Sequence, residues 1–347
     1  MYTTTVTRHE GKKEALEKDV EPLPVPRERT PASQPIIWRN VIGIIVLHFL
    51  AVYGFVSGYR DAKFWTWIWN IAYGLTTGFG ITAGAHRLWA HKSYTAKIPL
   101  RIFLACLYCM AGQTRFYNWI RDHRTHHRYT ETPADPHDAT RGFFFSHIGW
   151  LMVKRHPAVK EYGSKVDMSD IVADPVLRFF DRYYEVIMLS LCFVLPILLP
   201  VLVWDETLFI SVHAAFIRYV WSLHATFVVN SFAHMWGNRP YNRQVSATPG
   251  RYPVDHREGG RVKPTENPTV SFFALGEGWH NYHHSFPWDY KAAELGAYGL
   301  NATTAFIELM ALVGLAYNLK TPSKELVDRT TLKKGDGTNS LWGNHRH

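Results

Sequence analysis

Cysteine is scarce in this sequence, with three residues among 347. So low and odd a number excludes a disulfide-stabilised scaffold and predicts reduced thiols. Cys106 and Cys109 form a CxxC pair inside an apolar run. No second cysteine pair exists that could complete a structural zinc site, so we predict that both are core residues.

The sequence also lacks a long basic tract and an apolar segment near its start. The formal net charge is +9, but lysine and arginine are not interleaved with aromatic residues in one tract, so nucleic acid is not expected as a partner. Residues 1–35 are polar and proline-rich. They predict a flexible cytosolic N-terminal tail without a signal peptide.

Apolar residues are concentrated in four segments, each close to the length of about 20 residues that crosses a bilayer. The segments are residues 41–58, 64–85, 186–203 and 208–229. A few polar residues join the first to the second and the third to the fourth, which predicts two helical hairpins. The fold is therefore predicted to be an all-α integral membrane protein with four transmembrane helices.

The remaining residues of this predicted domain, 86–184 and 230–330, should lie on the side of the membrane opposite the hairpin connectors, together with both termini. The stretch 86–184 is rich in lysine and arginine. Because positive charge is enriched on the cytosolic side of membrane proteins, we predict a cytosolic helical cap.

Shorter features complete the predicted organisation. The apolar stretches Ile98–Ala111 and Phe143–Val153 predict helices that lie on the membrane surface or pack under the cap. Residues 242–268 contain proline, glycine and mixed charge, which predicts a loop outside the packed core. The domain spans residues 36–330, and residues 331–347 form a C-terminal tail.

The placement of histidine is the strongest functional signal, because nine of the 19 histidines lie in or near motifs at predicted span ends. They are His86, His91, His123, His126, His127, His234, His280, His283 and His284. Two HxxHH motifs have spacings of three and four, which predicts that all three histidines of each share one helix face and a common centre. A straight helix would splay His86 and His91, so we expect the span to end or bend between them. Asn230 lies four residues before His234 and can face the same centre.

Two metal ions would explain why so many imidazoles occur together, since without metal they would concentrate titratable groups near their own pKa. An imidazole-rich site without thiolates suits Fe, Zn, Cu or Ni. One structural zinc needs only four ligands, so nine candidates favour a dimetal site with open positions for redox chemistry on oxygen. By contrast, His48, His213 and His224 stand singly within predicted spans, and we interpret them as satisfied polar residues.

These residues resemble a known family. The segments HRLWAH at 86–91, HRTHH at 123–127 and GWHNYHH at 278–284 are similar to the three histidine boxes of membrane acyl-CoA desaturases. The segment NSFAH at 230–234 resembles the one that supplies the family's ninth histidine and an asparagine that acts through water. The resemblance extends over roughly 36–343, and the final segment is most similar to insect members.

The resemblance implies that the nine motif histidines bind two iron ions, with Asn230 contributing through a water. It implies an enzyme of the endoplasmic reticulum membrane that places a cis double bond in a saturated fatty acyl-CoA. O2 would be the co-substrate, and cytochrome b5 with NADH-cytochrome b5 reductase would supply electrons. A delta-9 double bond in a sixteen- or eighteen-carbon chain is expected, although the residues themselves do not determine its position.

Other positions match the family's substrate contacts. The CoA head group is expected at Asn40, Arg121, Asp122, Lys154 and Arg155, and the bend of the acyl tunnel at Gln113, Trp119 and Thr226. Two alternatives stay open. The Lys154–Arg155 pair could be a basic face near anionic lipid, and the Trp119 indole could be a core side chain.

Gly74 and Gly78 match the positions that form the floor of the acyl tunnel. Gly78 lies eight residues before His86, hence about 12 Å deeper along a helix. Two glycines would leave the floor open unless a side chain from another span fills the space. Alternatively, they form a GxxxG surface for close packing of a neighbouring helix.

Two other functions remain compatible with the sequence. A fatty-acyl hydroxylase could be built on similar histidine boxes. A membrane metal transporter is a candidate from another class, but transport sites usually lie near the bilayer midplane, whereas these histidines occur at helix ends and in the predicted cap.

Overall fold

The structure is a computed structural model and describes residues 34–244, 262–294 and 300–339. In these ranges the chain is mostly helical. The α-helices α1 to α15 are Trp38–Ser57, Phe64–Phe79, Ile98–Ala111, Phe116–Tyr129, Phe143–His147, Pro157–Gly163, Ser169–Ala173, Pro175–Arg182, Tyr184–Leu189, Leu195–Trp204, Leu208–Met235, Pro268–Phe273, His280–Ser285, Ala302–Leu312 and Lys324–Lys334. Almost all of the predicted N-terminal tail and the middle of the loop 242–268 lie outside the described residues.

A few shorter elements connect these helices. Two π-helices, Gly80–Ala90 and Ser190–Val194, continue α2 and join α9 to α10. Strands β1 (Thr95–Ala96) and β2 (Ala316–Tyr317) form an antiparallel pair. The 3-10 helices are Tyr59–Asp61, Ala139–Arg141 and Gly149–Leu151.

Within the described ranges, two helices are long and apolar enough to cross a bilayer: α1, and the continuous helix Tyr184–Trp204 that α9, the second π-helix and α10 form together. The other two predicted spans lie in α2 and α11. The α-helical part of α2 is 16 residues long, and α11 carries Arg218 among its apolar residues. Helices α2, α10 and α11 pack against one another, and α1 packs along α11.

Glu206 ties the two hairpin connectors together. Its Oε2 accepts hydrogen bonds from the backbone N–H of Lys63 at 2.8 Å and from Oγ1 of Thr66 at 2.6 Å. The Lys63 ammonium donates to the carbonyl oxygen of Trp204 at 2.8 Å. Because Lys63 precedes α2 and Glu206 precedes α11, the connectors lie on the same side of the bundle, as the sequence predicted.

Helix α3 packs against α2 and the first π-helix, and Ile98, Ile102 and Phe103 leave its other face exposed. Leu100, Leu104 and Cys109 are fully buried in the largest hydrophobic cluster, and Cys106 packs against that cluster. Both cysteines are free, which confirms the prediction that they are core residues. The predicted helix Phe143–Val153 is instead divided, because Ile148 adopts an extended φ of −141° that ends α5 before the 3-10 turn.

Candidate metal centre and acyl cavity

The first π-helix aligns His86 with His91. The backbone N–H of His91 donates to the carbonyl oxygen of His86 at 3.0 Å, the bond between residues five apart that defines a π-helix. The two imidazole centroids are 4.8 Å apart. The helix ends at Ala90, between the two histidines as the sequence predicted, but its π-helical form was not predicted, and that wider turn brings both side chains to one centre.

The nine motif histidines form two clusters, and in each one the ligand nitrogens lie within 4.8 Å of one another. The first cluster is His86, His91, His123, His127 and His283, and the second is His126, His234, His280 and His284. The prediction of a common centre for each HxxHH motif was wrong, since both motifs contribute to both clusters. Adjacent helical residues differ by about 100° in direction, so a neighbouring pair such as His126 and His127 points to different centres.

The Nε2 atoms converge in both clusters. In the first, Nε2 of His283 is 3.0 Å from Nε2 of His86 and 3.0 Å from that of His127. In the second, Nε2 of His280 is 3.0 Å from that of His234 and 3.1 Å from that of His284. Such a set of nitrogen atoms suits an imidazole-binding transition metal in each cluster.

Three carboxylates face the outer Nδ1 atoms, and the sequence analysis did not assign them. Glu277 Oε2 lies 2.8 Å from Nδ1 of His86, and Asp135 Oδ1 lies 2.9 Å from Nδ1 of His126. Glu131 Oε1 is 3.5 Å from Nδ1 of His234. A carboxylate that accepts the Nδ1 proton leaves the Nε2 lone pair for a metal and fixes the ring orientation. All three occur within nine residues of a box in sequence, which is the signal that could have identified them.

Arg87 fixes the orientation of Glu277. Its Nε and Nη2 donate to Glu277 Oε1 at 3.0 and 2.9 Å, while Oε2 faces His86. Nη1 also donates to Oγ1 of Thr304 and to the carbonyl oxygens of Tyr290 and Lys291. The Arg87 side chain is fully buried, so the first π-helix, α14 and the segment before α13 are held together around one ion pair.

Burial sets the protonation of the site. It lowers the pKa of His91, His123 and His283 well below the usual range, and neighbouring imidazoles lower it further. These histidines are thus neutral near pH 7, the form that binds metal. Burial alone would raise the pKa of Glu277, but Arg87 and His86 hold it at about 2, so Glu277 is an anion.

A cavity of about 510 Å³ begins at the histidine clusters and runs between α2 and α11. His86, His123, His126 and His280 line its upper end, and Asn230 lies in the same wall. The lining then continues to Trp67 of α2 through predominantly apolar residues. A flexible hydrocarbon chain fits this shape and places its atoms beside the imidazoles.

The structure brings the predicted tunnel residues to this cavity. Trp119 and Thr226 line it, and the Trp119 indole stacks on the His123 imidazole with centroids 5.2 Å apart. Gln113 Nε2 is 3.5 Å from Oγ1 of Thr226. Thus Trp119 is both packed and at the edge of the site, and the Gln113–Thr226 contact joins the end of α3 to α11.

Gly74 and Gly78 also line the cavity. A Cβ atom placed on Gly78 would lie 2.5 Å from Cδ1 of Leu275, and one on Gly74 would lie 3.4 Å from Cγ of Arg218. Both neighbours are side chains rather than the backbone of another helix. The two glycines therefore do not form the close helix–helix contact that a GxxxG surface would make.

Of the residues predicted to bind the CoA head group, only some contact one another. Asp122 is buried and pairs with both Arg121, at 2.8 Å, and Arg155, at 2.5 Å. Lys154 lines a small cleft next to Arg155. Asn40 instead donates from Nδ2 to the carbonyl oxygen of Leu151 at 2.8 Å, which fixes the start of α1 to the cap.

His48 and His224 are not isolated, contrary to the sequence analysis. Their Nε2 atoms are 2.9 Å apart, and Nδ1 of His224 is 2.8 Å from Nε2 of His147. They are satisfied polar residues as predicted, but through one another. His213 makes a local contact instead, from Nδ1 to the carbonyl oxygen of Phe209 at 2.7 Å.

Comparisons with known proteins agree with this geometry. A family model described as Fatty acid desaturase matches residues 62–294. The chain is 47% identical over 318 residues to the Acyl-CoA Delta-9 desaturase of Acheta domesticus, covering 91% of this chain and 84% of that protein. It is 45% identical to an Acyl-CoA Delta(11) desaturase of Spodoptera littoralis, covering 89% and 86%. It is 48% identical to the Stearoyl-CoA desaturase of Homo sapiens, covering 87% and 79%. The resemblance seen in the sequence is confirmed: the chain belongs to the fatty acid desaturase family and is an oxidoreductase.

Proposed function

We propose that the protein is an acyl-CoA desaturase that introduces a cis double bond into a saturated fatty acyl-CoA with O2 as co-substrate. The observation that carries this proposal is the cavity that joins both histidine clusters to a long apolar space between α2 and α11. An unactivated methylene has no polar atom that the protein could recognise, so the enzyme can select it only by its position relative to the metal site. Delta-9 desaturation of sixteen- or eighteen-carbon chains is the specific activity we propose.

The nine histidines would hold two iron ions, with Asn230 contributing through a water. When bound, the irons supply one-electron redox chemistry and the activation of O2. The protein's own part is positioning: Glu277 and Asp135 orient the imidazoles, and the Gln113–Thr226 contact shapes the bend of the tunnel. The apolar walls exclude water from the reacting carbons.

The membrane arrangement follows from the same proposal. Spans at about 41–58, 64–85, 186–203 and 208–229 would form a bundle in the endoplasmic reticulum membrane. The cap and both termini would be cytosolic, where cytochrome b5 and its NADH-dependent reductase deliver electrons. Support comes from Glu206, which bonds Lys63 and Thr66 at the start of α2, while His86 lies beyond the other end of that helix.

A cationic surface would anchor the CoA phosphates. Arg121, Lys154 and Arg155 supply positive charge at the cap, and the buried Asp122 orients two of them. Charge-assisted hydrogen bonds from guanidinium groups suit phosphate oxygens. Asn40 would join them at the membrane face.

Expression in desaturase-deficient cells fed saturated acyl chains tests the function directly. We expect alkenes, with double-bond positions mapped by mass spectrometry. Hydroxylated chains in place of alkenes would identify the related hydroxylase. Metal accumulation without any lipid product would support a transporter instead.

A larger side chain at Gly78 should shorten the preferred acyl chain. Gly78→Leu is expected to favour fourteen- over eighteen-carbon substrates, because the new side chain enters the cavity from a position eight residues before His86 on the same wall. Each methylene of pocket length should change discrimination by roughly 1–3 kcal/mol. Gly74→Tyr lies one turn deeper and should act more mildly.

Competition between fourteen-, sixteen- and eighteen-carbon acyl-CoA substrates measures this shift. Gly43→Leu is the matched control, because a Cβ at Gly43 of α1 would meet no atom within 4 Å. Unchanged product ratios in active Gly78→Leu and Gly74→Tyr proteins would place the tunnel floor elsewhere.

A further inference from the structure

Leu275 occupies the space that Gly78 leaves on the wall of the cavity. It lies between α12 and α13, and both Leu275 and Gly78 line the cavity. The distance of 2.5 Å from a Cβ built on Gly78 to Leu275 Cδ1 is shorter than real Cβ contacts, and Cγ follows at 3.5 Å. The Leu275 side chain therefore fills the volume that a side chain on α2 would otherwise take.

The backbone around Leu275 is held in an uncommon conformation. Its φ is +56°, in the left-handed region, which costs a leucine roughly 1–2 kcal/mol. The carbonyl oxygen accepts hydrogen bonds from Oγ1 and N–H of Thr303, at 2.8 and 3.1 Å. The next N–H, of Gly276, donates to the carbonyl oxygen of Ser271 at 2.8 Å. Conformations of this kind persist where the surroundings over-determine them, and here they aim one side chain at the cavity.

The residues of α2 do not close the cavity at the level of Gly78. Below Gly78 the lining continues along α2 through Gly74 and Asn70 to Trp67. Counted from Gly78 along the α-helical part of α2, these positions lie about 6, 12 and 16 Å deeper. The cavity therefore extends well beyond Gly78 on this wall. A side chain that narrows the cavity at the level of Gly78 thus controls access to the deeper part.

We propose that Leu275 is the residue that sets the acyl-chain length, by reaching across the cavity to Gly78 from the segment between α12 and α13. This inference rests on the proposed desaturase function. The residue that limits chain length would then lie in the C-terminal half of the protein, two residues before Glu277, and not in the second predicted span. Cavity beyond Leu275 would accept additional methylenes once this side chain is shortened.

Leu275→Ala tests the inference by competition among acyl-CoA substrates of fourteen to twenty carbons. We expect the ratio of longer to shorter products to rise about tenfold or more, the discrimination typical of one methylene in an apolar pocket. Leu300→Ala is the matched control, since Leu300 also has a φ of +56°, is 42% exposed and does not line the cavity. An unchanged ratio in an active Leu275→Ala enzyme would overturn the inference.

A double substitution asks whether the contact itself matters. Gly78→Ala alone should displace Leu275 into the cavity and favour shorter chains. In a Leu275→Ala background, Gly78→Ala has no leucine side chain to displace, so it should change the ratio of longer to shorter products less. Such non-additivity is expected of residues in contact. Strictly additive shifts would assign Leu275 a role unrelated to Gly78 and overturn the proposal.

Two further results keep the outcomes distinct. Should Leu275→Ala not accumulate as folded protein, Leu275→Gly removes the same side chain and adopts a φ of +56° without strain. A shift toward longer products in that variant supports the inference, and an unchanged profile overturns it. If the unmodified enzyme yields no alkene from any substrate, the proposed function fails. Alkene formation with a chain-length profile indifferent to Leu275 would refute only this inference.

Discussion

Substitution of His283 by alanine should abolish desaturation, whereas His213→Ala should retain most activity. Nε2 of His283 lies 3.0 Å from two other Nε2 atoms of the first cluster, so its loss removes a nitrogen at the centre of that site. His213 contacts only its own helix among the hydrogen bonds of the described residues, through the Phe209 carbonyl oxygen. It is a better control than His224, which bonds to two other histidines.

Activity should depend on both clusters and so cannot tell them apart. Iron content can, because each variant should lose the metal of its own cluster only. We expect the iron content of purified His283→Ala and His284→Ala proteins to fall by about half in each case. Thermal unfolding in detergent reports whether the variants are folded. Near-normal turnover in His283→Ala at an unchanged protein level would contradict its assignment as a ligand. The same expectation of lost activity holds for the other seven motif histidines, and Asn230→Ala should give a partial defect.

The family and the histidines that cluster could be predicted from the sequence because histidine spacing is local information. The HxxHH motifs retain their spacing in any helix, so their identification needs no tertiary contacts. The turn of about 100° between adjacent residues separates His126 from His127 and His283 from His284 within each helix. Which of these histidines then share a cluster could not be predicted in the same way, because that depends on how α4 and α13 face each other.

The π-helix between His86 and His91 was missed for a related reason. A spacing of five is unfavourable in an α-helix, and an end or a bend of the span was the expected solution. The helix does end at Ala90, but from Gly80 onward it is a π-helix in which every residue is buried. π-Helical turns are frequent at functional sites, so a five-residue spacing of candidate ligands at a span end is a usable signal for one.

Long-range contacts explain the remaining omissions. Glu277 meets His86 across a sequence separation of 191 residues, and Leu275 meets Gly78 across a similar distance. The sequence left open that a side chain from another span fills the floor at Gly78, whereas the residue found there, Leu275, lies outside the four predicted spans. Periodicity could not say which one, because Leu275 lies between helices on a left-handed backbone.

Replacing Glu277 by glutamine should weaken metal binding in the first cluster. The carboxylate has a partner on each side: Oε2 lies 2.8 Å from Nδ1 of His86, and Oε1 accepts hydrogen bonds from Arg87. A glutamine has one acceptor and one donor group, so one of these contacts must place donor against donor. If His86 relieves the conflict by moving its proton from Nδ1 to Nε2, the nitrogen that faces the cluster no longer offers a lone pair.

Loss of such an outer partner typically costs 10–100-fold in metal affinity or activity, and we expect Glu277→Gln to fall in that range. The measurements are iron affinity, by competition with a chelator, and the rate of alkene formation. Glu161→Gln is the matched control, because Glu161 is exposed and makes only a local pair with Lys165 at 2.9 Å. Thermal unfolding separates the effect on metal from that of leaving Arg87 buried without its counter-ion, which can cost 3–5 kcal/mol. A Glu277→Gln enzyme with unchanged iron affinity but lower stability would mean that this carboxylate serves Arg87 alone and does not orient His86.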